Sequence, residues 1–341
     1  MTNKAKVVVF QGDPKGIDLT YEDVITRWEE GLSKIPEIGE YHIIKNHKLT
    51  LNDYQEHLQG VDAALGLWIT EEVINEDIFS KHPNLKYIST LGHGYGEYDK
   101  SIPEKYGVTL SNTIYGEKTI AQYAMSLLLA ICNTVSEQSL YTKELYWKEK
   151  ETNKKANYYK QLTPQIELYE KTIGIIGLGS IGLCMAAMAK SFGMDVIAYS
   201  RSKKEGPEYE GIEQVSFEEL LGRSDVISIH CPHTKETDKL LNKQAFDAMK
   251  EGVILINTAR GAIIEEEALL DGLNSRKVYM AGLDVIASEP PKYQIPLMES
   301  PYTYITSHIA WLPRTSRLRA IDICLENYTS YLRGVPKSII R

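Results

Sequence analysis

The sequence predicts an α/β protein of two doubly wound parallel-sheet domains, and three observations predict it. Apolar, β-rich runs alternate with amphipathic helical stretches up to Gly92, and the alternation begins again at Lys171. That pattern implies parallel strands joined by crossover helices. At 341 residues the chain exceeds one ordinary core. The string Gly177-Leu178-Gly179-Ser180-Ile181-Gly182 directly follows one of the apolar runs, where a phosphate-binding turn belongs.

In chain order, VVVF, YHIIK, VDAALGLWI and LKYISTLG read as strands of the first sheet, with LTYEDVITRWEEGL as a helix between the first two. MTNKAKVVVF thus opens on a strand rather than a signal peptide. TIAQYAMSLLLAICNTVSEQSLYTKEL reads as one long helix, apolar on more than one face and therefore buried on both sides, a second subunit being one way to bury it. YWKEKETNKKANYYKQ then reads as an exposed connection. TIGIIG, DVIAYS, SDVISIH, GVILIN, VYMAGLDV and YTYITSH supply six near-continuous apolar strands of a second sheet covered on both faces. IGLCMAAMAKSFG and LNKQAFDAMK are among its crossover helices, and RTSRLRAIDICLENYTSYLRG is a final amphipathic helix. The shared pattern of the two halves implies two similar sheets facing across a cleft.

Composition narrows the function. Apolar residues make up 43% and charged residues 25%, a soluble globular balance. A net charge of −8 argues against a nucleic-acid partner, which needs a basic face. Cys132, Cys184, Cys231 and Cys324 show neither CxxC nor metal-ligand spacing, so reduced core thiols of a cytoplasmic protein are expected, and no metal. AMSLLLAIC is too short to span a bilayer, and no membrane association is expected.

The glycine string gains meaning from its place between the strand TIGII and the helix SIGLCMAAMAKSFG. Gly177 would permit the tight turn and Gly179 the approach of a pyrophosphate. Gly182 would let the helix pack on the strand, with Ser180 and Ile181 at the positive helix terminus. An NAD site would place a carboxylate at the end of the next strand, about 20 residues on. Ser200 stands there instead, followed by Arg201, Ser202, Lys203 and Lys204, while Asp195 begins that strand at the wrong edge. A serine does not repel a 2′-phosphate, and an arginine can grip one bidentately. NADP(H) is therefore favoured over NAD(H), the other reading being a solvated basic turn on an NAD enzyme.

Three further stretches, INTARGAIIEEEAL, AGLDVIASEP and ITSHIAW, lie at or just after strand ends, the edge where ligands bind in open α/β sheets. Together they bring Arg260, Glu289 and His308. A cation to hold an anionic substrate and an oriented imidazole to move a proton are what hydride transfer to a carbonyl requires.

With these residues assembled, the chain resembles the D-isomer-specific 2-hydroxyacid dehydrogenase family. The resemblance rests on STLGHGYGEYD, GIIGLGSIG, HCPHTKETDKLLN, NTARG, GLDVIASEP and SHIAW in that order. It implies a Rossmann coenzyme domain (112–311) inserted into a flavodoxin-like substrate domain (1–111 and 312–341), and a homodimer formed near the long helix. Arg260 would bind the substrate carboxylate and carbonyl oxygen. His308 would act as general acid in reduction and base in oxidation, with Glu289 holding and polarising it; a carboxylate neighbour favours the charged imidazolium. The amides around His93 and Gly94 would cradle the carboxylate. Asp284 would contact the nicotinamide carboxamide, and Pro232, Thr237, Thr258 and Ala259 would line the cofactor. Ser307 departs from the usual proline before the histidine, and HGYGEYD carries an extra glycine and histidine. His93 and His233 read as ordinary loop histidines in acid–base terms.

The expected activity is reversible reduction of a small 2-keto acid, glyoxylate- or hydroxypyruvate-like, to the D-2-hydroxy acid, with Trp311 walling the pocket or simply packing between domains. Relatives acting on D-lactate, phosphoglycerate or formate are alternatives. So is a nicotinamide-sensing protein of corepressor type, which would want a peptide groove or disordered tails. A Rossmann methyltransferase would not explain the Arg260, Glu289 and His308 set.

Overall fold

The structure, a computed structural model, describes residues 4–45 and 50–340. The chain divides into two compact units, one made of Met1–Gly116 and Trp311–Arg341, the other of Glu117–Ala310. The divisions fall after Gly116 and after Ala310, whereas the resemblance implies divisions after 111 and after 311. Hydrogen bonds account for the difference. Asn112 N donates to Ser338 O (3.1 Å) and Thr113 N to Gly92 O (3.1 Å), which ties this stretch to the first unit. Ala310 N donates to the Asp284 carboxylate (2.9 Å) and so stays with the second.

The first unit holds β1 (Ala5–Gln11), β2 (Ile38–Lys45), β3 (Ala63–Leu65), β4 (Tyr87–Ser89) and β5 (Thr109–Ser111), in the order β2-β1-β3-β4-β5. All pairings are parallel. The alternation of a strand is visible in β1. Val7 and Val9 pack with Trp28, Leu32 and Tyr328 on one face. Val8 and Phe10 pack with Leu58, Ile78 and Phe79 on the other. The helix Tyr21–Leu32 starts where Thr20 and Asp23 cap each other reciprocally, satisfying amide groups that the first turn would leave unpaired. β5, three residues long, was not foreseen.

The final helix, Arg314–Leu332, buries Ala320, Ile321, Cys324, Leu325 and Tyr328, but also Ser316, Arg317 and Asn327. Arg317 is tolerated there because its guanidinium donates to the carbonyls of Pro14 and Lys15 and to the Asp18 carboxylate. The buried face is therefore less apolar than a simple amphipathic reading implies.

The second unit carries β6 (Thr172–Ile176), β7 (Asp195–Tyr199), β8 (Glu213–Gln214), β9 (Val226–Ile229), β10 (Val253–Asn257), β11 (Val278–Leu283) and β12 (Thr303–Ile305). Their order is β12-β11-β10-β9-β6-β7-β8, again parallel throughout. Seven strands replace the expected six. The extra one, β8, is two residues with no apolar run to announce it. Successive strands after β6 first leave to one side and then to the other, so the crevice at the C-terminal ends of β6 and β9 is the topological switch point.

The long helix expected over 119–145 is broken. It runs Glu117–Asn133, stops at Thr134 with φ 43, and resumes as Val135–Leu140, a π turn Tyr141–Leu145 and the helix Tyr146–Thr152. The bend between the two parts is 52°. The cause is competition for the last turn: Ile166 N donates to Cys132 O (3.0 Å), and the Thr134 and Thr163 hydroxyls bond at 2.8 Å. Part of the expected exposed connection is thus helical, with Tyr146 buried. The helix Glu117–Asn133 buries Ala121, Ala124, Met125, Leu127, Leu128, Ile131 and Cys132 within its own unit, which explains its wide apolar coverage. Among the described residues no single helix is long and apolar enough to cross a membrane; the bent pair passes only by length and composition.

Candidate active site

The glycine loop leaves β6 in a shape only these residues allow. Gly177 has φ 99, and a Cβ there would meet Cys231 N at 2.5 Å. A Cβ on Gly182 would meet Gly177 O at 2.2 Å, so the helix Ser180–Ser191 lies hard against the turn it leaves. Gly179 is the opposite case: it is exposed, and a Cβ there would meet nothing within 4 Å. It caps a helix whose N-terminus receives no side-chain hydrogen bond. Open space before unsatisfied, positively polarised N–H groups fits the pyrophosphate of a dinucleotide. Ser180 and Ile181 begin that helix.

β7 ends at Tyr199, and Ser200, Arg201, Ser202, Lys203 and Lys204 follow as a turn whose only partly buried cationic residue is Lys204. Ser200 Oγ donates to Ser202 O at 3.2 Å. Across the switch point, His230 N donates to Ile176 O (2.7 Å), bringing β9 and its following loop beside Gly177. In that loop Thr237 Oγ1 donates to Pro232 O (2.7 Å) and accepts from Thr234 N (2.7 Å), which closes residues 232–237 into a ring. Thr234 Oγ1 donates to Glu236 and holds its carboxyl below the usual range, with the Arg201 charge adding to the effect. His233 is not alone: its Nε2 lies 2.8 Å from Asp238 Oδ1.

His230 keeps some residue exposure; its Nε2 lies 2.8 Å from Ser228 Oγ, its Nδ1 is enclosed without a hydrogen-bond partner among the described residues, and burial pushes its pKa down to about 4. Cys231, beside it, is pushed up to about 11 by burial. All four cysteines are free, but only Cys132 and Cys324 are fully buried, which partly corrects the core-thiol expectation. Among the described residues no group of three or more His, Cys, Asp or Glu side chains is arranged to hold a metal.

Arg260, Glu289 and His308 converge at the C-terminal edge through three loops that lock together. The buried Asn257 carboxamide donates to Arg260 O (3.0 Å) and accepts from Ala259 N (2.9 Å), shaping the turn after β10. The Arg260 side chain is exposed and donates to Ala259 O at 2.7 Å. A Cβ on Gly261 would stand 1.9 Å from the Ile286 carbonyl carbon, so the loops after β10 and β11 touch backbone to backbone. Glu266 Oε1 accepts from Ala287 N (2.9 Å), and Glu289 Oε1 accepts from Ile286 N (2.9 Å). The other oxygen of Glu289, Oε2, receives His308 Nδ1 at 2.6 Å. An imidazole so oriented presents Nε2 as its proton-transferring atom.

Asp284, for which the resemblance implies a nicotinamide contact, also orders the loop that carries His308. It is buried, and its carboxylate accepts from Thr306 Oγ1 (2.6 Å), Ile309 N (2.9 Å) and Ala310 N (2.9 Å). Its carbonyl accepts from His308 N (2.8 Å). These four bonds hold His308 at φ 56, a left-handed conformation that non-glycine residues seldom adopt. The Thr306 bond pins the loop one residue before the position where Ser307 replaces a proline. Thr258 is buried at the end of β10 with its hydroxyl unpartnered among the described residues. His93, Gly94 and Trp311 belong to the first unit. Sequence reasoning missed Asn257 and Glu266, although the first ends the apolar run VILIN and the second sits in the acidic triplet after Ile264.

The family pattern described as D-isomer specific 2-hydroxyacid dehydrogenase, NAD binding domain, matches residues 125–310. A hydroxypyruvate reductase of Blautia hydrogenotrophica is 36% identical over 86% of this chain and 90% of its own. A glyoxylate reductase of Korarchaeum cryptofilum is 31% identical over 92% of each chain. Among solved structures, an acyclic imino acid reductase in complex with NADPH and D-Arg superposes with a TM-score of 0.76 at 26% identity, covering 98% of this chain and 100% of the other. The chain therefore belongs to the D-isomer-specific 2-hydroxyacid dehydrogenase family, as an oxidoreductase that works with a nicotinamide cofactor on 2-hydroxy and 2-keto acids.

Proposed function

We propose that this enzyme reduces glyoxylate, hydroxypyruvate or a keto acid of similar size to the D-2-hydroxy acid, reversibly, with NADP(H) favoured over NAD(H). The observation that carries the reading is the His308–Glu289 pair at 2.6 Å, locked to the loop of Arg260 at the cofactor edge of the sheet. The bound nicotinamide supplies the hydride chemistry. Arg260 pairs with the substrate carboxylate, which its planar fork matches in two-point geometry. His308, its Nδ1 hydrogen donated to Glu289, gives a proton from Nε2 to the carbonyl oxygen in reduction and takes it back in oxidation.

The substrate class is supported by the names of the relatives above. The NADP(H) preference is supported by the basic turn at Ser200–Lys204, which has no carboxylate, and by the NADPH complex of one structural neighbour. The enzyme acts in the cytoplasm as a homodimer. Supporting the dimer, Val135, Leu140, Leu145, Trp147, Tyr158 and Tyr159 are all exposed within one segment, more apolar surface than scattered side chains explain.

The test is a spectrophotometric screen of glyoxylate, hydroxypyruvate, pyruvate and branched keto acids with NADPH and with NADH. The highest kcat/KM is expected for one of the first two with NADPH. A best substrate with a bulky side chain would overturn the substrate assignment, and a tenfold preference for NADH, about 1.4 kcal/mol, the cofactor assignment. Light scattering that shows a monomer at micromolar concentration would remove the dimer.

A further inference from the structure

We propose that Gln214, on β8, is the positioning residue for the basic turn Ser200–Lys204, and that it thereby sets how strongly the enzyme distinguishes a 2′-phosphorylated adenosine ribose from an unphosphorylated one. The proposal rests on the NADP(H) reading above and concerns the same end of the cofactor site.

Residues 201–205 make no backbone–backbone hydrogen bond among the described residues, so the turn has no secondary structure of its own. Its rear is held by one side chain. Gln214 Oε1 accepts from Lys204 N at 2.8 Å, and Gln214 Nε2 donates to Lys204 O at 2.8 Å. A primary carboxamide that engages both polar groups of one residue acts as a strand partner one residue long. Gln214 can do this because it is fixed itself. It pairs with Ala198 in the β7–β8 register, Val215 N donates to Ala198 O (2.9 Å), and Tyr199 and Phe217 pack with ring centroids 5.3 Å apart. At the front, the bond from Ser200 Oγ to Ser202 O closes the turn.

The consequence lies in what each cofactor asks of the turn. A 2′-phosphate must meet cations held near one place, because ordering a loose lysine or arginine consumes part of the binding energy. An unphosphorylated ribose makes no such demand. Arg201 is exposed and its charge helps lower the Glu236 pKa, whereas Lys204 has a clamped backbone and is partly buried. The clamp therefore favours the phosphorylated cofactor through Lys204, without touching the cofactor. Nothing in the apolar-run pattern marks Gln214; only the strand register brings it to Lys204.

The experiment compares wild type with Gln214→Met, which keeps the length and loses both hydrogen bonds, and with Gln214→Asn, which is too short to reach. Dissociation constants for NADPH and NADH are measured by nucleotide fluorescence, inhibition by adenosine 2′,5′-bisphosphate and by AMP, and folding by thermal melting. The expected result is an NADPH-over-NADH ratio that falls about 10-fold in both variants, the loss of one charge-assisted contact. Inhibition by the bisphosphate should weaken alongside, while AMP inhibition and kcat at saturating cofactor hold. A purely structural role would lower the melting temperature or weaken both cofactors equally; that outcome, with wild type still preferring NADPH, overturns the Gln214 proposal and leaves the cofactor reading intact. A wild type that binds NADH as tightly as NADPH overturns the cofactor reading, and the proposal with it.

Discussion

His308 stands with its Nδ1 2.6 Å from Glu289 Oε2 and its backbone nitrogen 2.8 Å from the Asp284 carbonyl. One acid orients the ring and another orients the chain that carries it. The two duties are separable, which makes the proposed chemistry accessible to mutation.

Replacing His308 with asparagine should remove proton transfer while sparing the loop, because asparagine is among the residues that tolerate positive φ. We expect kcat to fall by about 10²–10⁴-fold, the usual contribution of a general acid–base group, with NADPH binding unchanged. Steady-state kinetics and cofactor titration on the same preparation decide it. A kcat within a few-fold of wild type would exclude His308 from the proton step.

The glycine loop offers an internal contrast. Gly182→Ala drives a methyl to 2.2 Å from a backbone oxygen and should cost about 1–3 kcal/mol of stability. Gly179→Ala meets nothing in the protein and should cost under about 1 kcal/mol. Yet it should weaken cofactor binding at least about tenfold by intruding where the phosphates approach. Denaturant titration and cofactor fluorescence separate the two effects. Tight binding by Gly179→Ala would move the pyrophosphate elsewhere.

Gly261→Ala tests the lock between the Arg260 and Glu289 loops. The new carbon would lie 1.9 Å from Ile286 C and 2.3 Å from Ala287 N, and backbone atoms cannot rotate aside. Stability should drop by about 3 kcal/mol or more, and kcat/KM should fall further than the folded fraction explains. An enzyme with unchanged kinetics and melting would mean that the loops are not in contact.

His230 predicts a stability change with pH. Its folded pKa, about 4, lies below the ordinary histidine value of about 6.5, because burial disfavours the charged ring. Between those values the unfolded chain binds more protons than the folded one, so stability is complete above the unfolded pKa and is lost as pH falls toward the folded one. The loss from this group is at most about 3 kcal/mol. Wild type should lose melting temperature more steeply from pH 6.5 to 4.5 than His230→Gln. Parallel curves would show that the ring is hydrated in the folded state.

Much of this organisation was legible in the chain itself. A strand buried on both faces must be apolar throughout, so VVVF, TIGII and GVILIN announce themselves without any neighbour. Gly177 and Gly182 announce themselves by their spacing after a strand, and so do polar residues gathered where apolar runs end. These signals are local: they depend on burial or sterics at one place in the sequence. They single out the glycine loop, Arg260, Glu289 and His308 as candidates.

Other features exist only because distant segments meet. The break at Thr134 depends on Ile166 competing for the carbonyl of Cys132. The strand β8 is two residues that become a strand by lying beside β7, and Gln214 becomes a clamp for the same reason. For Asp284 the family resemblance implies a cofactor contact. Its bonds to Thr306, Ile309 and Ala310 arise because β11 and β12 end side by side in the sheet. The sequence by itself determined which long apolar segments are strands and where polar residues gather at their ends, since those follow from local burial and backbone sterics. Tertiary structure alone decided what positions those residues, because a hydrogen bond between residues far apart in the chain has no signal until folding brings its partners together.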